Sequence, residues 1–165
     1  MLKKIFGKKE TVVERVTTPI NGKVVDITDV PDPVFSQKMM GEGIAIEPSD
    51  GEVVSPVDAE VVQVFPTKHA VGLKTKSGLE LLIHIGLETV SLDGEGFEAF
   101  VKAGDKVKRG DKLVSFDLET IKEKATSTIS PLIITNMDEV VESVEKDLNE
   151  SAKTSETEVL TVTLK

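Results

Sequence analysis

Apolar residues in this chain fall in short runs, each closed within a few positions by glycine, proline, asparagine or aspartate. Runs of that length, rich in β-branched residues and bounded by turn residues, read as strands. Residues 17–20 and 23–27 form the first pair, and Asn21-Gly22 between them is a strong hairpin signal. Ile44-Ala45-Ile46 resumes the pattern after Gly41-Glu42-Gly43, and residues 51–65 read as two strands around Pro56-Val57-Asp58. Residues 79–90 are opened by Ser77-Gly78 and closed by Asp93-Gly94, and further strands follow at 112–116, 131–135 and 159–164. Helical signals are few. Residues 34–40 suit one or two turns, residues 118–125 follow Asp117 as N-cap, and residues 138–146 read as a helix before a polar loop at 147–156. About ten short strands at close spacing predict an all-β protein, an antiparallel β-sandwich or barrel-sandwich hybrid with a few short helices.

Composition agrees. Of 165 residues 39% are hydrophobic but only 4% aromatic, with no Trp and no Tyr, so Val, Ile and Leu must fill the core. The length suits one domain, expected over residues 16–165, with residues 1–15 a flexible tail. The formal charge of −9 and the scattered basic residues disfavour nucleic acid and suit a partner with a basic docking surface. Without cysteine there is no disulfide, thiolate nucleophile or zinc–thiolate site. No run approaches the roughly 20 apolar residues that span a bilayer, which predicts a cytoplasmic protein. The start of the chain sets Leu2, Ile5 and Phe6 among Lys3, Lys4, Lys8 and Lys9, a pattern suited at most to weak peripheral contact with an anionic membrane.

Candidate chemistry rests on two histidines, because no phosphate loop, nucleophile elbow or zinc-protease helix is present. His84 lies inside the apolar run 79–90, sharing a face with Leu82 and Glu80 while Ile83 and Ile85 point into the core. His69 precedes it by fifteen positions in Pro66-Thr67-Lys68-His69-Ala70. Two unrelated structural imidazoles, a metal pair and a nucleophile with its helper all fit this spacing. A metal site wants three or four ligands, and only Glu80 or Glu88 is at hand. A neutral imidazole can instead accept a phosphoryl group on one nitrogen while the other donates to a carbonyl that fixes the tautomer.

Several motifs together carry a resemblance. They are Val30-Pro31-Asp32-Pro33-Val34-Phe35, Gly41-Glu42-Gly43-Ile44-Ala45-Ile46, Pro56-Val57-Asp58, Thr67-Lys68-His69-Ala70, Ile83-His84-Ile85-Gly86-Leu87-Glu88-Thr89-Val90, Gly94-Glu95-Gly96-Phe97, and Ser130-Pro131 through Asn136-Met137-Asp138. From about Val16 to Lys165 the chain resembles the glucose-type enzyme IIA family of the bacterial phosphoenolpyruvate-dependent sugar phosphotransferase system. The resemblance implies a single EIIA type-1 domain that takes a phosphoryl group from the phosphocarrier protein HPr and passes it to the IIB domain of a sugar permease. It implies His84 as the phosphorylated residue through Nε2, His69 as phosphoryl stabiliser, Thr67 as the group orienting His69, and the Gly86 carbonyl as the hold on His84. It further implies an apolar docking patch of Val34, Phe35, Phe65, Leu82 and Val90, with Asp32 and Glu88 meeting basic residues of the carrier. Leu82 stands where phenylalanine is frequent, Glu88 where aspartate is usual and Lys68 where asparagine is common, so partner preference is open. No cofactor is expected. A regulatory role on the same face, with Zn²⁺ bridging His69, His84 and a partner carboxylate, remains compatible. The competing class is a biotinyl- or lipoyl-like carrier domain, whose modified-lysine hairpin would read Met-Lys-Met or Asp-Lys-Ala; neither occurs.

Overall fold

Strand side chains alternate between two sides of a sheet, and the apolar positions of this chain separate accordingly into two packed layers. The computed structural model describes residues 11–165. Thirteen strands are present among them: β1 (Val13–Thr17), β2 (Gly22–Asp26), β3 (Glu42–Pro48), β4 (Glu52–Val54), β5 (Ala59–Val64), β6 (Ala70–Lys74), β7 (Glu80–His84), β8 (Phe97–Ala99), β9 (Lys106–Val107), β10 (Lys112–Phe116), β11 (Ser130–Ile134), β12 (Val141–Lys146) and β13 (Glu158–Leu164). Three short helices accompany them: α1 (Pro33–Ser36), α2 (Leu118–Lys124) and α3 (Met137–Val140).

Every pairing is antiparallel. One seven-stranded sheet runs β2-β3-β11-β7-β6-β5-β9, and two three-stranded sheets run β1-β13-β12 and β4-β10-β8. The all-β expectation is met, but no closed barrel forms among the described residues, since β2 and β9 end the large sheet as edges.

The main core is aliphatic. Leu81, Ile83 and Ile85 point into it beside Val71, Leu73, Leu132 and Ile44, all at most 1% exposed. Each such fully buried side chain contributes about 1.5–3 kcal/mol by leaving water. The opposite face of the same sheet carries a smaller cluster of Leu82, Ala70, Ala45, Ile133, Phe35, Leu87 and Ile129. That smaller cluster is the floor on which the histidines stand.

Three expectations are corrected. Asn21-Gly22 does not make a hairpin: β1 pairs with β13 while β2 pairs with β3, in different sheets. The Asn21 side chain instead donates to Asp50 and accepts from the Thr154 N–H, tying separate loops together. Residues 138–146 are not one helix; α3 stops at Val140 and β12 begins, because β13 offers a strand edge to residues 141–146, among them Val141 and Val144. Lys146, on β12, then reaches Asp26 Oδ1 at 2.6 Å and Glu42 Oε1 at 2.5 Å, an ion cluster that joins β12 to β2 and β3. Finally β1 begins at Val13, inside the stretch assigned to a tail, and the tail's amphipathic residues 2–9 lie outside the described residues.

Candidate functional site

The two histidines are brought together by strand register. β6 and β7 are neighbours with Ala70 opposite His84, so His69 at the mouth of β6 adjoins His84 at the end of β7. The Ile85 N–H donates to the His69 carbonyl at 2.7 Å, which locks the two backbones. Their rings lie 5.0 Å apart between centroids, nearly perpendicular at 78°. Fifteen positions of sequence have become one contact.

Local chemistry aims each ring. A tight turn from Phe65 to Ala70, with the Lys68 N–H donating to Phe65 O at 2.7 Å and Lys68 at φ +63°, swings His69 over the sheet. Thr67 Oγ1 sits 2.5 Å from His69 Nδ1. After His84 the chain turns at Gly86, whose φ is +70°, and the Gly86 carbonyl accepts from His84 Nδ1 at 2.8 Å. A Cβ at Gly86 would lie 2.7 Å from Thr89 Cγ2 and 3.0 Å from Ser127 O, so only glycine fits this turn.

With both Nδ1 atoms engaged, the Nε2 atoms carry whatever chemistry the pair performs. Among the described residues no fully buried side-chain nitrogen or oxygen lacks a partner, and neither Nε2 makes a hydrogen bond, so neither Nε2 is completely sealed from solvent although His69 is buried and His84 half-buried. Electrostatics keeps the pair neutral. Burial pushes the His84 imidazole down to about 4, and His69 beside it adds to that, against the raising influence of Gly86 and Asp32. Burial lowers His69 as well. At neutral pH His84 therefore has an unprotonated nitrogen, the requirement for a nucleophile.

The expected docking residues differ in exposure, and two of them, Phe35 and Phe65, meet the rings. Phe35 is 5% exposed and meets the His84 ring edge-on at 5.1 Å, and Leu82 is buried beside it, so these two are walls. Phe65 is half-buried and packs edge-on to His69 at 5.4 Å. Val34 at 41% and Val90 at 57% exposure are the apolar side chains open to a partner. Asp32 is half-buried and caps α1 by accepting the Val34 N–H at 2.9 Å. Glu88 is exposed, stands at φ +59°, and its carboxylate accepts the Thr126 hydroxyl. Sequence reading gave no role to Thr126 or to Ser130, whose Oγ accepts the Gly86 N–H at 3.1 Å. Ser130-Pro131 was visible as a motif, but only the fold shows what the hydroxyl holds.

Metal chemistry is thinly supported by the donor set. No group of three or more His, Asp or Glu residues is placed to hold an ion among the described residues, and the two Nε2 atoms alone fall short of the three or four ligands zinc takes. A metal here would need a ligand from another protein.

Two contacting neutral imidazoles on an antiparallel β-sheet framework suit a protein that carries a group on a histidine. Comparison with known proteins gives the particular family. The model of the family described as "phosphoenolpyruvate-dependent sugar phosphotransferase system, EIIA 1" matches residues 14–140. The glucose-specific EIIA component of Halalkalibacterium halodurans is 56% identical over 170 residues, covering 98% of both chains. Its Bacillus cereus counterpart is 55% identical over 166 residues, covering 100% of both. The structure of glucose permease IIA from Mycoplasma capricolum superposes with a TM-score of 0.82 at 40% identity, over 92% of this chain and 96% of that one. The chain belongs to the EIIA 1 family, and its role is that of a phosphoryl carrier in the sugar phosphotransferase system. The biotinyl- or lipoyl-like alternative is not favoured by any of these likenesses. Among the described residues no helix is long and apolar enough to cross a membrane.

Proposed function

We propose that His84 is the phosphorylated residue, accepting the phosphoryl group of phospho-HPr on Nε2 and passing it to the IIB domain of a sugar permease at the cytoplasmic side of the membrane. The observation that carries this reading is the hydrogen bond from His84 Nδ1 to Gly86 O, which leaves Nε2 as the unprotonated nitrogen. In the transfer the Nε2–P bond forms as the donor's N–P bond breaks, and the donor imidazole leaves with its electron pair. His84 keeps its Nδ1 proton, and the positive charge that develops on its ring is held by the Gly86 carbonyl.

His69 is the stabiliser in this scheme. If the Thr67 hydroxyl donates to His69 Nδ1, the His69 proton lies on Nε2, aimed at the phosphoryl oxygens of its neighbour. Phe35 and Leu82 keep water from one side of the phosphoimidazole, which slows hydrolysis. Val34, Val90 and the half-buried Phe65 supply an apolar contact for HPr and IIB, with Asp32 and Glu88 as its acidic rim. The helix cap and the Thr126 bond fix those two carboxylates in place without cancelling their charge. Zn²⁺ at His69 and His84 would require a carboxylate from a regulatory partner.

A reconstituted assay with phosphoenolpyruvate, enzyme I and HPr tests the assignment. The acid-labile label maps to His84, His84→Gln takes none, and His69→Gln is labelled but transfers poorly to IIB. Label on His84→Gln, or on His69 alone, refutes the scheme.

A further inference from the structure

We propose that Ser130 is a positioning residue for phosphoryl transfer, acting through the backbone of Gly86 to select the tautomer of His84. The inference rests on the reading of His84 as nucleophile.

Register explains why a side chain is needed there. β11 lies beside β7 with Leu132 opposite Ile83. Continued by one step, the same register sets Pro131 opposite His84, and proline has no N–H to give, so the ladder between the two strands ends. Beyond that point the chain turns away at Gly86, whose amide is inside the protein and has lost its strand partner. The Ser130 hydroxyl replaces it: Oγ accepts the Gly86 N–H at 3.1 Å and donates to Thr128 O at 2.9 Å. Ser130 is fully buried and both functions of its hydroxyl are used, so the group does not rotate freely.

The next peptide unit is held by the same segment. The Leu87 N–H donates to Ser127 O at 2.9 Å, and Leu87 and Ser127 form an antiparallel bridge. Gly86 C=O and Leu87 N–H belong to one rigid peptide plane, so a bond at one end aims the other. Residues 127–130 thus grip Gly86 from both sides, main chain on one and the Ser130 side chain on the other. What projects from the grip is the carbonyl that accepts His84 Nδ1–H. If that carbonyl withdraws, the ring gains freedom to carry its proton on Nε2, and a protonated Nε2 has no lone pair with which to attack phosphorus.

The test uses the full chain with Ser130→Ala, Ser130→Cys and Ser130→Thr. In the unaltered protein, nitrogen NMR of His84 shows Nδ1 protonated and Nε2 not. Ser130→Ala moves both signals toward an average of the two tautomers and lowers the maximal rate of phosphoryl acceptance about tenfold, the scale of lost outer-shell support, with the KM for phospho-HPr little changed. Ser130→Cys, a poorer acceptor of similar size, shifts both in the same direction by less, and Ser130→Thr restores them. If Ser130→Ala does not fold, Ser130→Cys decides alone. Unaltered nitrogen signals and rate in a folded variant overturn the proposal. Failure of the nucleophile reading is separately visible, since the unaltered protein would then take no label on His84 while the tautomer signals still report on Ser130.

Discussion

The depressed titration of His84 has a thermodynamic consequence that an equilibrium measurement can isolate. An unfolded histidine titrates near 6.5, whereas burial holds the folded His84 near 4. Between those values the unfolded chain binds more protons at this residue than the folded one, so unfolding free energy rises with pH across the window. Above pH 6.5 the contribution is complete, and it is lost as the pH falls toward 4. At about 1.4 kcal/mol per pH unit, the loss due to His84 is about 2 kcal/mol by pH 5 and about 3 kcal/mol by pH 4. Urea unfolding at pH 7.5, 6.5, 5.5 and 5.0, run in parallel on the unaltered protein and His84→Gln, reads that term as a difference of slopes. The measurements stop at pH 5.0, so that Asp26, held down to about 2 against the cost of its burial by Lys146 and Thr28, and Glu42, lowered by Lys146 and Lys38 in the same way, contribute little to them and equally in both proteins. His69 loses stability in the same direction, but it is present in both proteins. Equal slopes for the two proteins, or a His84 ring that titrates at 6.5 in NMR, would refute the account of the site as a pair of neutral imidazoles held neutral by burial.

Three further outcomes are expected. Gly86→Ala places a methyl 2.7 Å from Thr89 Cγ2 at φ +70°; strain and crowding together lower stability by about 2–4 kcal/mol in thermal unfolding, and phosphoryl acceptance falls with it. Lys146→Met leaves Asp26 and Glu42 facing each other without their shared cation, which costs about 1–3 kcal/mol by urea unfolding and raises both carboxyl pKa values in a carbon NMR titration. Val90→Asp alters an apolar side chain that is 57% exposed; stability moves by less than about 0.5 kcal/mol, whereas KM for phospho-HPr rises several-fold. A fall in maximal rate at constant KM would take Val90 out of the docking surface.

The parts of the fold legible in the sequence were those written in local periodicity. The run 79–90 announced a strand, which the structure forms only over Glu80–His84 before the chain turns at Gly86, and its alternation placed Ile83 and Ile85 in the core and Leu82 on the other face, where the structure has them. Asp117 likewise marked the start of α2, and it accepts from Glu119 N–H and Thr120 N–H. Pairing partners were not legible. Asn21-Gly22 carries the local chemistry of a hairpin, yet β2 takes β3 across a loop and a helix, because a wide sheet buries more than a two-stranded ribbon. Residues 138–146 failed for a related reason: β13 supplies an edge that Val141 and Val144 fill better as strand than as helix.

The site divides along the same line. The two histidines stood out as candidates by type and neighbourhood, and the structure brings their rings together. The local contacts of Thr67 and Gly86 with the rings were implied by the resemblance, but what brings the two rings together and holds Gly86 was not, because it depends on contacts across the chain. Ala70 opposite His84 is a statement about register, and Ser130 lies 44 positions from the amide it holds. The docking face shows the same limit: Val34 and Phe35 are adjacent in sequence, but α1 turns the first outward and seats the second against the His84 ring. A partner that reads the apolar rim therefore meets Val34 and Val90 directly, while Phe35 and Leu82 are buried, Phe35 against the His84 ring. On the proposed reading of His84, substitutions in the first pair act on encounter and those in the second on the lifetime of the phosphohistidine, since the first pair is exposed and the second buried.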